Sequence, residues 1–85
     1  MEAADRPYNF GLAITKSDTV NFPVGVKSGL CDAIYVGGAG VVVAVLQDDS
    51  LLSFTCVAAQ TLKIKAKRVN STNTTATLMI ALYYV

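Results

Sequence analysis

The sequence predicts a single all-β domain, a small antiparallel sandwich or barrel of the jelly-roll-like kind. Three observations carry that expectation. Short apolar, β-branched runs recur every roughly 8–12 residues with turn residues between them. No stretch of ten or more residues shows a helical period. The run Thr61 to Val69 alternates, with Leu62, Ile64 and Ala66 on one face and Lys63, Lys65 and Lys67 on the other, which is the period of a strand. The 85 residues suffice for one domain, expected as a mobile N-terminal arm over Met1–Pro7 and a β-domain over Tyr8–Val85.

The elements follow in order. Met1 to Pro7 is polar and without period, as befits an arm. Tyr8 to Thr15 alternates weakly, with Phe10, Leu12 and Ile14 on one side. Lys16 to Asn21 reads as a polar turn. Phe22 to Val26 reads as a short extended piece whose Pro23 suits an edge strand or a strand's first residue. Lys27, Ser28 and Gly29 form a break. Strands are expected over Leu30–Val36 and Val41–Gln47, and a turn at Asp48, Asp49 and Ser50. Leu51 to Val57 follows, with Leu52, Phe54 and Cys56 on one face. Ala58 to Gln60 turns again and leads into Thr61–Val69. Asn70 to Thr75 reads as a polar loop. Ala76 to Val85 closes the chain as an apolar strand.

Between Val36 and Val41 the chain reads GGAG, three glycines in four positions. A phosphate-cradling loop needs a helix N-terminus after its glycines. Here three valines follow, and β-branched residues favour a strand. The spacing is neither GxGxxG nor a loop ending in GK[ST]. The charge-free stretch Ala33 to Leu46 is shorter than the roughly 18–20 apolar residues of a spanning helix. A hairpin is therefore expected, with glycine in the turn and the flanking valines paired across it.

Both flanking strands are apolar on both faces. Val41, Val43 and Val45 oppose Val42, Ala44 and Leu46. In the closing strand Leu78, Ile80, Leu82 and Tyr84 oppose Met79, Ala81, Tyr83 and Val85. Strands of a two-layer sandwich normally keep one wet face. Composition points the same way: 53% of the residues are hydrophobic and 15% are charged, against about 25% charged in an ordinary soluble domain. Surplus apolar surface invites association, so the second cover is expected from a neighbouring subunit. Val41, Val43, Val45, Met79 and Tyr83 are the candidate subunit-interface residues.

Net charge is +1, so no strong field draws the chain to nucleic acid or anionic lipid, and neither is expected as a partner. There is no histidine, the commonest general base and metal ligand. Cys31 and Cys56 are too few for a zinc site and not CxxC-spaced. Asp48 and Asp49 are adjacent, so on a strand they point to opposite faces, and aspartate is a favoured turn residue. No nucleophile–base pair is visible. An enzyme is not expected, nor any cofactor or metal. Lys63, Lys65 and Lys67, with Arg68, form a cationic stripe and are the candidate partner-contact residues; the competing reading is a solvated face that blocks edge pairing. Asn70-Ser71-Thr72 and Asn73-Thr74-Thr75 match the glycosylation pattern, which has meaning only on a secretory route. The start MEAADRPYNF shows no secretory signal, so cytoplasmic synthesis is expected.

These residues resemble the head-spike base family of gene transfer agents and related tailed phages. The resemblance is carried by Ile34-Tyr35-Val36-Gly37, Gly40, the strand Val41 to Val45, Phe54, Arg68-Val69, Thr74-Thr75-Ala76 and Ala81-Leu82-Tyr83, with Ala13-Ile14-Thr15 and Ser17-Asp18 in the early segment. It spans about Phe10 to Tyr83. Val41 stands where an aspartate is common, Asp49-Ser50 replaces a turn glycine, Gln60 a frequent glycine and Lys63 a frequent proline. The resemblance implies a non-enzymatic virion protein that oligomerises on the capsid exterior, most simply a pentamer at the fivefold vertices carrying a fibre or spike. The implied partners are other copies of the chain, the major capsid protein and a fibre or spike protein. A trimeric cement protein is the alternative within that class. Outside it stands a carbohydrate-binding tail or adhesin module, for which only Tyr8 lies outside the predicted apolar strands.

Cytoplasmic synthesis and apolar neighbours predict that Cys31 and Cys56 are buried free thiols. Titration with a thiol reagent should find little reaction in the native protein and two thiols after denaturation without reductant. A denatured, unreduced protein with no free thiol would show a disulfide instead.

Overall fold

The computed structural model describes residues 8–25 and 27–84. The expected arm over Met1–Pro7 lies outside them. Among the described residues seven strands form: β1 (Phe10–Ala13), β2 (Ala33–Gly38), β3 (Gly40–Leu46), β4 (Leu51–Cys56), β5 (Gln60–Leu62), β6 (Ala66–Val69) and β7 (Thr77–Tyr83). They make two sheets, a four-stranded one in the order β1-β7-β2-β5 and a three-stranded one in the order β4-β3-β6. All pairings are antiparallel. The fold is thus the expected all-β sandwich, and it is not a closed barrel. A one-turn 3-10 segment at Lys27–Gly29 fills the expected break, with Ser28 and Gly29 at positive φ.

The core lies between the sheets. From the four-stranded sheet, Met79, Ala81 and Tyr83 of β7 and Ile34 and Val36 of β2 point inward, with Leu12 and Leu62 packed beside them. Val42 and Ala44 of β3, Cys56 of β4 and Ala66 and Val69 of β6 meet them from the other sheet. Cys31 and Cys56 are free and buried, and burial pushes both thiols up from their ordinary pKa.

Two connections differ from expectation for one reason. Strands β2 and β3 are not a hairpin: β2 pairs with β5 and β7, and β3 with β4 and β6. The glycines form a corner at which the chain leaves one sheet for the other. Gly40 has φ +154°, and a Cβ there would stand 2.6–2.8 Å from the backbone of Thr75 and Ala76. The corner needs glycine because two backbones meet there. Likewise Thr61–Val69 is not one strand. β5 and β6 belong to different sheets, and the chain bends at Lys63, where the Ile64 N–H donates to Leu62 O at 3.1 Å, a γ-turn-like closure. Leu62, Ile64 and Ala66 all face the core. The alternation reports which side is dry, and the interior of a sandwich is the same dry side for both sheets.

Among the described residues no strand forms where a short extended piece was expected over Phe22–Val26. Residues 14–25 and 27–32 belong to a strap that crosses between the sheets twice. Ile14 N–H still bonds Met79 O beside β1. Ser17 N–H then donates to Val69 O, and Phe22 N–H to Lys67 O, along the outer edge of β6. Cys31 N–H bonds Ala66 O, and Asp32 N–H returns to Leu82 O. Phe22 is buried and pins the strap to the core. The strap therefore covers the β6 edge, which would otherwise stand open.

The Asn70–Thr75 stretch also does more than loop. Asn70 N–H donates to Val43 O, and the Thr75 and Ala76 N–H groups both donate to Val41 O. In return Val43 N–H donates to Thr74 Oγ1 at 3.0 Å and Val41 N–H to Thr75 Oγ1 at 2.9 Å. Two hydroxyls stand in for strand carbonyls and carry the ladder past the end of β6. Asp18 on the strap fixes the turn of this stretch, accepting from both the Thr72 hydroxyl and the Thr72 N–H. These bonds hold its carboxyl below the usual carboxylate range.

Two outcomes are expected. Gly40→Ala should destabilise the domain by at least about 1–3 kcal/mol from backbone strain alone, with the clash at residues 75–76 adding to it; unchanged chemical denaturation would show that the corner relaxes freely. A carboxylate whose folded pKa is depressed contributes stability that is complete above its unfolded value, about 3.9, and is lost as pH falls through the folded one. Asp18→Asn should therefore be less stable than the parent near neutrality, and the gap should narrow in acid. A gap that is constant with pH would place the effect elsewhere.

Candidate functional site

The surfaces that meet partners are built from the outward faces and free edges of the two sheets. Of the interface candidates, Val43, Val45, Met79 and Tyr83 are buried within one chain, and Val41 is half-buried. Met79 and Tyr83 belong to the core. Val43 and Val45 lie on the opposite face of β3 from Val42 and Ala44, yet the chain itself hides them. Ser53 of β4 stands opposite Val43, and Leu51 of β4 and Arg68 of β6 flank Val45 across the ladders. Their dryness thus needs no second subunit; the exposed apolar surface is elsewhere.

That surface falls in three places. On the outward face of the four-stranded sheet, Leu78, Ile80 and Leu82 of β7 stand beside Tyr35 of β2 and the small Gly11 and Ala13 of β1. Leu78 is 79% exposed. On the strap, Val20 is 68% and Val24 75% exposed. Along β4 and its following turn, Leu51 is 58%, Leu52 44% and Val57 67% exposed. The outward apolar set of β7 is the one the alternation of the closing strand predicts. The exposure of Val20 and Val24 has no signal in the sequence, because it follows from where the strap runs.

The cationic stripe is divided by the bend between β5 and β6. Lys63 and Lys65 sit in the link, whereas Lys67 and Arg68 belong to β6. Lys65 donates to Asp32 Oδ1, and Lys67 pairs with Asp49. The Arg68 guanidinium donates to Asn70 Oδ1 at 3.0 Å and Asn21 Oδ1 at 3.1 Å. Lys63 is exposed and has no charged partner among the described residues. The stripe's charges mainly tie local elements together, and Lys63 is the one directed to solvent without such a tie.

Asp32 is the most enclosed charged group of this region, its side chain 7% exposed. Besides Lys65, it accepts the Tyr84 N–H at Oδ2, at 2.7 Å. Tyr8 stacks on Tyr84 with ring centroids 4.5 Å apart. Burial and the hydrogen bond with Tyr84 push the Tyr8 phenol up to about 12. Tyr8 is therefore engaged by its own chain, which removes the free aromatic that a sugar platform would start from. Tyr83 lies deeper, tilted against Phe10 at 5.6 Å, its buried hydroxyl lacking a protein partner among the described residues. Asp48 accepts from Ser50 N–H at 3.1 Å, the turn role expected of it. Among the described residues no three His, Cys, Asp or Glu side chains group as metal ligands do.

No known family profile matches the chain, and no curated protein matches it. Two solved chains match this one; the first superposes with a TM-score of 0.78 at 23% sequence identity, covering 96% of this chain and 90% of its own length. It belongs to a structure described as the capsid of a native GTA (gene transfer agent) particle computed with C5 symmetry. The seven-strand sandwich described above is thus the fold of a chain found in a gene transfer agent capsid.

Proposed function

We propose that this chain is a non-enzymatic structural protein of a virion, set on the capsid exterior as a homo-oligomer. In the finer form of this reading it is a pentamer at the fivefold vertices, gripping the major capsid protein and serving as the base of a spike or fibre. The observation that carries the reading is the shared fold over 96% of the chain with a chain of a capsid whose structure has C5 symmetry. Three further facts support it. The sequence pattern from Phe10 to Tyr83 resembles the spike-base family of the same kind of particle. Large apolar side chains are exposed on both sheets and on the strap, as suits a protein that works in contact with others. Among the described residues the polar clusters at Asp18, Asp32 and Asp48 are hydrogen-bonded into the fold, as suits residues with structural duties.

The polar segment Met1–Pro7 is the natural candidate to grip the capsid, since such a segment orders on a partner surface at the moment of binding. Cryo-electron microscopy of the assembled particle tests the proposal. Density for this sandwich is expected at the fivefold vertices, outside the shell. Density at threefold positions would make it a cement protein, and density on the tail an adhesin module; either result would overturn the vertex assignment.

A further inference from the structure

We propose that copies of this chain join head to tail, the open edge of β4 on one copy seating antiparallel on the β1 edge and adjoining apolar cleft of the next. This deepens the self-association in the reading above by naming the two surfaces that meet.

The two surfaces lie on opposite sides of the sandwich. The strap leads from the end of β1 to the outer edge of β6, so β1 and β6 share one side. The corner between β2 and β3 sets these two strands against each other, so in the orders β1-β7-β2-β5 and β4-β3-β6 the strands β5 and β4 fall on the other side. Contact between opposite sides is heterologous, and it closes into a ring when its rotation closes.

Both edges are open in the hydrogen-bonding sense. The backbone of Val41 and Val43 bonds toward residues 70–76, so Val42 and Ala44 bond toward β4, where they face Phe54 and Leu52. Groups alternate along an antiparallel strand. The N–H and C=O groups of Leu51, Ser53 and Thr55 therefore point away from the sheet. On β1, Ile14 bonds Met79, so Leu12 and Phe10 also face β7, and the backbone of Gly11 and Ala13 points outward. An unpaired row of this kind is a template for another strand.

Natural edges are usually guarded by charge, proline or cover. The β6 edge is covered by the strap, and β5 has only three residues. β1 and β4 carry neither charge nor proline. Beside β1 opens an apolar cleft of about 280 Å³, walled by Leu12 and Ile14 on one flank and Val20, Phe22 and Pro23 on the other. Beside β4 project Leu51 and Leu52. One side thus offers an apolar cleft and the other exposed apolar side chains. An antiparallel seat brings Ser53 and Thr55 of one copy to Ala13 and Gly11 of the next, so that outward backbone groups meet outward backbone groups.

Sedimentation over a concentration series tests the arrangement with the full chain. Ser53→Pro removes an outward N–H without touching the β3 ladder, Ser53→Lys puts a charge on the same edge should proline disturb folding, and Val20→Asp charges the cleft. Circular dichroism confirms that each is folded. Each is expected to weaken self-association at least about tenfold. A mixture of Ser53→Lys with Val20→Asp retains one good contact and should form a one-to-one pair that grows no further. A parent protein that stays monomeric at every concentration would overturn the proposal. So would Ser53 variants that assemble normally, or a Val20→Asp protein that assembles as the parent does, which would mean that β4 pairs with itself. The position of the chain on the particle is read from the particle, so these outcomes leave the vertex reading standing or falling by itself.

Discussion

Strand β3 is the member on which the sandwich depends, and what holds it is complete use of its backbone. On one side it is paired with β4; on the other β6 takes only its C-terminal half. The remaining N–H groups, on Val41 and Val43, are met by the hydroxyls of Thr75 and Thr74. The bond at Val43 is buried, and a buried amide without a partner costs about 1–3 kcal/mol, a sizeable share of the stability of a small domain. Because the threonines are in place, residues 70–76 follow β3 closely, and because they follow it closely, Gly40 has no room for a side chain. The corner, the threonine stretch and the strap that Asp18 ties to Thr72 are one connected constraint.

The class of fold and the placement of most strands were legible in the sequence. Apolar alternation marked β4, β5, β6 and β7, and turn residues marked the gaps. The pattern did not say to which sheet a strand belongs. Leu62, Ile64 and Ala66 keep their period through the bend at Lys63 because the interior is continuous. For the same reason β2 and β3, two apolar runs around glycines, looked like a hairpin. Period two reports a side, and strand partnership is a separate fact fixed by long-range hydrogen bonds.

The partner surfaces were legible only in part. The outward apolar face of β7 follows from its alternation. The two-sided apolarity of β3 was a sound observation with an incomplete reading: in a strand flanked on both edges, Leu51 and Arg68 shelter Val45 without any second subunit. Strap residues such as Val20 and Phe22 carry no periodic signal, since one is outside and the other inside by virtue of a path that crosses between sheets. The lysines read as one stripe because they alternate, yet Asp32 and Asp49, which engage two of them, are 33 and 18 positions away in the chain.

The stacking of Tyr8 on Tyr84 has a topological consequence. The polypeptide enters and leaves the sandwich at the same pole, and Asp32 anchors that pole by holding the backbone at Tyr84. Such a domain is close to a closed loop of chain. Linking Tyr84 to Tyr8 by a short peptide and opening the chain instead at the exposed Asp48–Asp49 turn would keep each strand beside its neighbours, a circular permutation of the kind that adjacent ends permit.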